Sequence, residues 1–561
     1  MNSQTHVNPR PELVLVSLGG MGEIGMNCYA YGYGPPANRS WILVDLGIKF
    51  GEETEPGIDI VLPDLSFVEA NRSRFIGIVL THAHEDHFGA IPWLWERLKM
   101  PVYCTQFASE ILKLKLLEAD LLDQVPVKIL PLSSRFKLGE FDLEFVSVTH
   151  SIPESNALVI RTPSGTVFHS GDWKIDRAPS IPPELNEARL KELGVEGIRA
   201  LVCDSTNVLR EGYSPSERDV AVALEDIVAK APGRVVVTTF GSHVGRVASM
   251  AHIARRTGRE IIVAGRAMRS MIEAARTVGL LKDAGEFLEE QSFGYIPRDK
   301  TILVCTGSQG EPRSVLTRIA DDAHQMIALD PGDIVVFSAR TIPGNEKAVS
   351  AVINKLARQG IKIVTADQAL VHTSGHPRQG ELRDFYNWLK PALVVPMHGE
   401  AWHLDTHAEF AKRAGISETA LVFNGQMLRL APAPCEVITE VPAGRLHVDG
   451  KLVVQVIDGP ARLRRKLSFV GAVFISLIFD QKFNLLTRPG IVTDGTPFTD
   501  GEGVLFDEII YEAVETAINS IPRARRRQDD AIREPVRNAV RRTAEEIWGK
   551  KPVCHVVIHR L

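Results

Sequence analysis

A cluster of potential metal ligands occupies the segment THAHEDHFGA at residues 81–90. His82, His84, Asp86 and His87 fall within six positions and directly follow the apolar segment FIGIVLT. Alternate residues of an extended segment point the same way, so His82 and His84 can face one point. Asp86 and His87 come where the chain turns into a helix, and they can face a second point nearby. The spacing predicts a zinc or manganese site, because both ions bind imidazole and carboxylate groups.

Four ligands cannot complete two metal sites, so other parts of the chain must supply more. Three polar residues come where apolar, strand-like segments stop: His150 in FVSVTH, Asp172 in VFHSGD and His398 in LVVPMH. Each would be unremarkable alone, but together they repeat the placement of the first cluster. The alternative for the 82–87 cluster is a charged surface loop. With 17 histidines in 561 residues, three within six positions are not expected by chance. We interpret His169, beside Asp172, as structural.

A glycine motif near the start, Gly20-Met-Gly22-Glu-Ile-Gly25, fits the dinucleotide-binding fingerprint. That function requires a helix after the third glycine, whose N-terminus holds the pyrophosphate. The segment that follows, MNCYAYGYGPPANRS, cannot form it, because it contains two further helix-breaking glycines and two consecutive prolines. We therefore predict a strand–turn–strand here and no nucleotide site.

Two kinds of secondary-structure pattern alternate along the chain, so we predict several domains. Short strand-like segments and turns fill 1–213, and strands alternating with helices then predict a parallel α/β layer over 214–368. Strand-type segments return over 369–430, so the α/β layer is predicted to be an insertion into a split domain. The Pro-rich stretch 431–444 is typical of a linker, and 445–561 is predicted to be a small α+β domain.

Bulk composition is typical of a globular protein and excludes several other classes. The chain has 44% apolar and 24% charged residues and a formal net charge of −5, which leaves room for a local basic face. The six cysteines are far apart, without a CxxC pair, so no disulfide framework is predicted. The N-terminus lacks the order of a signal peptide, and no run of about 18 apolar residues occurs, so we expect a cytoplasmic protein without a membrane contact.

The order of these motifs resembles that of the metallo-β-lactamase fold hydrolases. The resemblance implies two divalent metal ions, zinc being expected and manganese or magnesium the alternatives. The ligands of the first ion would be His82, His84 and His150. The ligands of the second ion would be Asp86, His87 and His398. Asp172 would bridge the two ions, and Asp45 in ILVDLG would hydrogen-bond a ligand without binding metal.

Motifs in and beside the inserted layer indicate which branch of these hydrolases the chain resembles. DSTN at 204–207, HTSGHP at 372–377 and PMHGE at 396–400 are similar to three motifs of the nucleic-acid-processing branch called β-CASP. SLGGMGEIGMN, TFGSHVGRV and the C-terminal domain look like the ribonuclease J family. The fold class implied is an αββα sandwich with an inserted parallel α/β β-CASP domain and a small C-terminal α+β domain.

This resemblance implies a two-metal ribonuclease of RNA maturation and decay. Two ions about 3.5–4 Å apart can hold a phosphodiester and generate hydroxide near neutral pH, and Asp204 and His376 would form the acid/base pair. The family implies 5′→3′ exonuclease action that prefers 5′-monophosphate ends, with some internal cleavage. Gly241 and Ser242 precede a helix and suit a phosphate, although a plain helix cap is the alternative. The 5′-phosphate pocket would be completed by His372, Thr373, Ser374 and Gly375.

The expected partners are single-stranded RNA and a second copy of the chain bound through the C-terminal domain, with a tetramer as the alternative. Partners in RNA degradation or on the ribosome are also expected. The segment 523–542 holds eight Arg and three acidic residues, and it suits an RNA-facing stripe and ion pairs within a dimer equally well. A DNA nuclease, a small-ester hydrolase and a non-catalytic scaffold of a degradation complex are the competing functions. A scaffold would have no need of every ligand.

Overall fold

The computed structural model describes residues 10–457 and 459–561, which form two compact units. Among these residues, one unit comprises 10–50 together with Val61–Leu446, and the other comprises Gly51–Ile60 and the described part of His447–Leu561. The division of the chain into five segments made from the sequence stays a prediction. No helix in the described residues is long and apolar enough to cross a bilayer.

The first unit contains two mixed sheets that face each other. Apolar side chains from both sheets form one buried core, in which Tyr29 and Tyr31 of one sheet lie among Phe145 and Leu158 of the other. The strands of the first sheet, in spatial order, are β24 (Glu436–Glu440), β23 (Gln426–Ala431), β1 (Glu12–Gly19), β3 (Cys28–Gly34), β4 (Ser40–Val44), β7 (Phe75–Val79), β8 (Val102–Cys104) and β9 (Val127–Ile129).

The second sheet is antiparallel at one edge and parallel at the other. Its strands, in spatial order, are β10 (Arg135–Leu138), β11 (Phe141–Ser147), β12 (Asn156–Thr162), β13 (Gly165–His169), β14 (Ala200–Asp204), β20 (Leu393–Met397) and β22 (Glu418–Thr419). Its outer face is covered by α5 (Glu187–Glu196), α11 (Gln379–Leu389) and α12 (Ala401–Arg413). The two facing sheets and these helices confirm the predicted sandwich.

Between β14 and β20 the chain forms a separate, fully parallel sheet, which confirms the predicted insertion of an α/β layer. The sequences of its strands are almost continuously apolar, as expected for strands buried on both faces. In spatial order they are β16 (Glu260–Ala264), β17 (Thr301–Cys305), β15 (Val235–Thr238), β18 (Ile334–Phe337) and β19 (Lys362–Val364). The helices of this layer are α6 (Glu217–Lys230), α7 (Val244–Thr257), α8 (Arg266–Thr277), α9 (Val315–Ala320) and α10 (Glu346–Arg358).

The second unit is built on a three-stranded sheet, β28 (Gly490–Asp494), β27 (Ala472–Phe479) and β29 (Val553–Arg560). One face of β27 packs on α14 (Phe506–Ser520) and α15 (Asp529–Trp548), and α13 (Ala461–Val470) precedes the sheet. Within the Arg-rich segment, Arg526 donates to the carbonyls of Ile518 and Ile521 at the end of α14. That residue therefore has a helix-capping role.

The other strands of the chain are short, and its other helices vary in length. The strands are β2 (Met21–Gly22), β5 (Lys49–Phe50), β6 (Ile60–Pro63), β21 (Gly399–Glu400), β25 (Arg445–Asp449) and β26 (Leu452–Gln455). The helices are α1 (Ser66–Ala70), α2 (Glu85–Phe88), α3 (Ile91–Leu98) and α4 (Gln106–Glu118). The segment predicted as a linker differs from the expectation, because its residues in β24 pair with β23 at a sheet edge. An edge strand with exposed residues lacks the apolar alternation that would have revealed it.

The glycine motif joins β1, β2 and β3 without a helix, which confirms the predicted strand–turn–strand. A second glycine has a direct bearing on the histidine cluster. Gly47 donates its N–H to the carbonyl of Asn27, and a Cβ atom at Gly47 would overlap the carbonyl of Asp86. Asn27 in turn donates its N–H to that same carbonyl of Asp86. The three backbone segments are thus packed without room for a side chain.

We predict that Gly47→Ala destabilises the first unit, because the added methyl group must push the backbone of Asp86 away. Overpacking of this kind typically costs about 1–3 kcal/mol in the free energy of unfolding, measured as a lower midpoint of urea denaturation. Gly294→Ala is the matched control, since a Cβ atom at Gly294 meets no atom within 4 Å. Equal midpoints for the two variants would contradict the prediction.

Candidate metal centre

The predicted ligands come from the loops that follow successive strands of the two facing sheets. The apolar strands end in the core, and the polar residues that follow them meet along one edge of the sandwich. Asp45 follows β4, the 82–87 cluster follows β7, His150 follows β11, Asp172 follows β13, Asp204 ends β14 and His398 follows β20.

Asp172 lies at the centre of this cluster and is buried. Five imidazoles have a ring nitrogen within 4 Å of its carboxylate oxygens. They are His398 at 2.8 Å, His87 at 3.2 Å, His150 at 3.7 Å, His82 at 3.8 Å and His376 at 3.9 Å. A carboxylate in this position can be shared by groups on either side of it.

His82, His84 and His150 form the first group with Asp172. The Nε2 atoms of His82 and His150 each lie 3.1 Å from Nδ1 of His84. The other nitrogen of His150, Nδ1, donates to the carbonyl of Gly375 at 2.7 Å, which leaves its Nε2 unprotonated in the neutral ring. Nitrogen lone pairs that converge without a proton between them fit a cation.

Asp86, His87 and His398 form the second group, again with Asp172. Nε2 of His87 lies 3.6 Å from Asp86 and Nε2 of His398 lies 3.4 Å from it. On its far side His87 donates from Nδ1 to Asp45 at 2.7 Å. Asp45 is itself held by the N–H and hydroxyl of Thr81, both at 2.8 Å, so it orients the His87 ring from behind.

The electrostatics differ between the two groups. Burial lowers the pKa of His82 and His150, and it lowers the pKa of His84 to about 4, so these rings are neutral. Burial also acts on His87 and His398, but neighbouring carboxylates, Asp172 foremost, overcome it and raise the pKa of His398 to about 10. The second group therefore favours a positive charge, which a divalent cation can supply.

His376 and Asp204 form a hydrogen-bonded pair beside these groups. Nδ1 of His376 lies 2.7 Å from the carboxylate of Asp204, which also accepts the N–H of Thr206 at 2.8 Å. Burial opposes the charged ring, but Asp204 and Asp172 raise the pKa of His376. These two residues also make a third potential ligand group with Asp172 and His398. The pair could thus transfer a proton or hold a cation.

Asn27 also reaches the second group, although no sequence pattern predicted it. Its amide nitrogen lies 3.0 Å from Nε2 of His87 and 3.3 Å from Asp86, and Tyr29 donates its hydroxyl to the amide oxygen at 2.8 Å. No metal-ligand spacing includes this residue. The available signal was a polar residue between the glycine turn and an apolar strand, and the structure shows that residue to be completely buried. His169, by contrast, is buried against Tyr31 and is structural, as interpreted.

The residues predicted for the 5′-phosphate pocket lie in two segments. Gly241 and Ser242 are between β15 and α7, and the segment 372–375 follows β19. The two segments are connected through Arg246, in the first turn of α7, which donates to the carbonyl of Val371 at 2.8 Å.

The four residues of the 372–375 segment differ in their hydrogen-bond partners. Thr373 donates its hydroxyl to the carbonyl of Pro215 at 2.8 Å, so that hydroxyl already has an acceptor. Ser374 accepts the N–H of His376, and Gly375 accepts from His150. Burial lowers the pKa of His372 to about 3, and its Nδ1 is buried without a hydrogen-bond partner among the described residues. The segment therefore touches the first group at Gly375.

The cluster opens to solvent on one side. The side chain of Asp86 is 31% exposed and that of His376 is 20% exposed, while Asp172, His87 and His398 are almost fully buried. A substrate therefore reaches the cluster from the side of Asp86 and His376.

Comparison with known families agrees with this geometry. Residues 41–197 match a beta-lactamase superfamily domain, and residues 232–356 match the ribonuclease J beta-CASP domain. Residues 360–421 match the RNA specificity domain of Zn-dependent metallo-hydrolases, and residues 461–561 match the ribonuclease J C-terminal domain. A crystal structure of a protein of unknown function from Enterococcus faecalis shares the fold, with a TM-score of 0.51 and 16% identity over 74% of this chain and 100% of that one.

Curated relatives extend over nearly the whole chain. Ribonuclease J of Sinorhizobium meliloti is 49% identical over 550 residues, which cover 98% of both chains. Ribonuclease J of Thermus thermophilus is 33% identical over 98% of this chain and 96% of its own, and ribonuclease J 1 of Streptococcus pyogenes is 32% identical over 98% of both. This chain belongs to the ribonuclease J family.

Proposed function

We propose that this protein is a metal-dependent ribonuclease that hydrolyses RNA phosphodiester bonds at the cluster centred on Asp172. The observation that carries the proposal is the presence of two ligand groups on either side of one shared carboxylate. A single structural metal would need only one of them. Two adjacent sites suit the displacement of one phosphate oxygen by another, because both the attacking and the leaving oxygen carry charge.

The two groups would supply the ligands for two divalent ions, with Asp172 available to both groups and Asp45 behind His87. Imidazole and carboxylate donors favour zinc, and manganese or magnesium are the alternatives that the carboxylates also suit. When bound, such ions polarise the phosphodiester and lower the pKa of a water molecule. Buried neutral imidazoles are already in the form that ligates a metal, so binding at the first group needs no proton release.

His376 is proposed as the general acid. Its hydrogen bond to Asp204 holds the ring in one orientation and stabilises the protonated form, as the raised pKa indicates. Nε2 is then the atom that gives a proton to the leaving 3′ oxygen. The exposed edge of this ring places it where a strand can enter.

We propose 5′→3′ exonuclease action on 5′-monophosphate ends, with additional internal cleavage, in RNA maturation and decay. Support comes from the hydrogen bond between His150 and Gly375, because it joins the first ligand group to the 372–375 segment. A 5′-phosphate held by that segment with Gly241 and Ser242 would fix the distance from the chain end to the scissile bond.

A homodimer through the C-terminal unit is proposed from an apolar sheet face, with a tetramer as the alternative. Phe474 of β27 lies opposite Val492 of β28, and they are 42% and 58% exposed. Val557 of β29 extends the same face at 51% exposure. Contiguous apolar surface of this kind is typical of a protein contact.

Six unpaired cysteines support a cytoplasmic location.

We predict that Asp86→Ala removes both metal and activity, because it deletes one of four ligands of the second group. Loss of a group that only orients a ligand already costs about 10–100-fold, so RNA cleavage should fall by at least about 100-fold. Elemental analysis of the purified protein should show less bound metal than in the wild type. Asp123→Ala, at an exposed position, is the control. Full activity of Asp86→Ala would show that the ligand assignment is wrong.

His376→Ala should lower kcat by about 10²–10⁴-fold, the usual contribution of a general acid, and leave the metal content unchanged. Because Asp204 acts through His376, the double variant with Asp204→Asn should lose little more than His376→Ala alone. The exposed His252 provides the control variant His252→Ala. Loss of metal from His376→Ala would instead assign this residue to the third ligand group.

Ser374→Leu should impair exonuclease action more than internal cleavage, because a larger side chain fills the space of the 5′-phosphate. Linear 5′-monophosphate RNA and circular RNA of the same sequence separate the two activities, since a circle offers no end. We expect the rate to fall on the linear substrate and to change little on the circle. Equal loss on both substrates would exclude the proposed pocket.

A further inference from the structure

Three arginines lie in loops that adjoin the His376 segment, and the proposed chemistry does not use them. Arg340 donates to the side-chain oxygen of Asn207 at 3.1 Å, and Asn207 donates to the carbonyl of His376 at 3.2 Å. Arg378 follows His376 by two residues, and the carbonyl of Arg210 accepts the N–H of Gln379 at 3.0 Å. Three loops that are distant in sequence thus bring three guanidinium groups to the neighbourhood of one histidine.

The charges of these three arginines are not neutralised. Burial first, and then the like charges of Arg210 and Arg378, lower the pKa of Arg340. Among the residues that the structure describes, none of the three forms an ion pair with a carboxylate. Other arginines of this unit, such as Arg189 and Arg234, bind two or three carboxylates each. An uncompensated cluster of cations has an energetic cost that a bound anion relieves.

An exposed aromatic side chain lies on the same side. Trp402, at the start of α12, is 70% exposed, which is unusual for the largest apolar side chain. Its ring centroid is 6.4 Å from that of His403, whose pKa is lowered by burial first and, to a smaller extent, by the charge of Arg340. Trp402 follows the ligand His398 by four residues. An accessible indole on the helix that follows a ligand loop is the kind of platform on which single-stranded nucleic acids stack a base.

We propose that Arg210, Arg340 and Arg378 bind backbone phosphates of the RNA strand next to the scissile bond, and that an unpaired base of the strand stacks on Trp402. Guanidinium groups bind phosphate oxygens through two parallel hydrogen bonds, and the indole face accepts any base. A base inside a duplex cannot stack on a side chain, so the same contact selects single-stranded RNA. This inference rests on the proposed function and specifies how its substrate is held.

The test compares two substrates of very different length. Single-stranded RNA reaches the arginines, whereas bis(4-nitrophenyl) phosphate is a phosphodiester too small to extend from the cluster to them. Arg340→Gln should raise KM for RNA about tenfold, the usual effect of losing a charged hydrogen bond, and leave hydrolysis of the small ester unchanged. Arg210→Gln should behave in the same way, because Arg210 contacts Asn207 through its backbone N–H, which the substitution keeps. Arg413→Gln, at the far end of α12, is the control.

Salt dependence gives a second, independent readout. Each lost contact with a phosphate of a single strand should reduce the slope of log KM against log salt concentration by about 0.7. A merely structural role of Arg340 at His376 would instead lower kcat for both substrates and leave the slope unchanged. Unaltered KM and slope in both arginine variants, with active wild-type protein, would overturn the inference.

Trp402 is tested by removal and rescue. Trp402→Ala should lower kcat/KM for single-stranded RNA about tenfold, as expected for the loss of one stacked base, and Trp402→Phe should restore most of it. Failure of Trp402→Phe to restore activity would overturn the stacking contact. Wild-type protein that hydrolyses neither RNA nor the small ester with added zinc or manganese would contradict the proposed function itself, a result distinct from those above.

Discussion

The structure of the first unit depends on one constraint: the charge of the buried Asp172 carboxylate must be compensated by the imidazoles around it. Asp172 is shielded from water, and an isolated charge there would be strongly unfavourable. Five ring nitrogens within 4 Å compensate it, and they come from four separate loops. Asp172 is stable only when those loops are in place, and the loops are held by the sheets. The cluster therefore depends on the complete sandwich.

Two residues of the cluster have an unfavourable backbone conformation. Asp45 and His398 both have a left-handed conformation, with φ of 61° and 51°, which residues other than glycine seldom adopt. Each costs of order 1–3 kcal/mol. The strain persists because both side chains are fixed at both ends: Asp45 by Thr81 and His87, and His398 by Asp172 and Asp86. Packing in the surrounding core offsets the strain and holds the donors in position.

Much of this arrangement could be predicted from the sequence because one physical rule governs it. A parallel strand that ends in a core leaves the next residue at the sheet edge, so a polar residue after each apolar run indicates the same edge. The rule identified Asp172 and His398, although they are 226 residues apart. It also predicted the inserted parallel layer, whose strands are continuous apolar runs.

The parts that were missed follow no such rule. Asn27 is brought to the cluster by a glycine turn, and its sequence context carries no metal-ligand spacing. Arg210, Arg340 and Arg378 meet only through hydrogen bonds between loops, which no local pattern encodes. The Pro-rich sequence around β24 predicts a linker, and only its pairing with β23 identifies the segment as part of a sheet.

The pairing of β1 with β23 has a consequence for how the protein is made. Leu13 lies opposite Ala431, so a strand near the beginning of the chain receives its neighbour only when some 400 further residues have been synthesised. At about 5–20 residues per second, a ribosome takes on the order of tens of seconds to deliver it. During that interval one edge of β1 and the early histidines are exposed on the nascent polypeptide. Chaperones that cover unpaired strands, and the availability of competing ions, therefore matter most before translation ends.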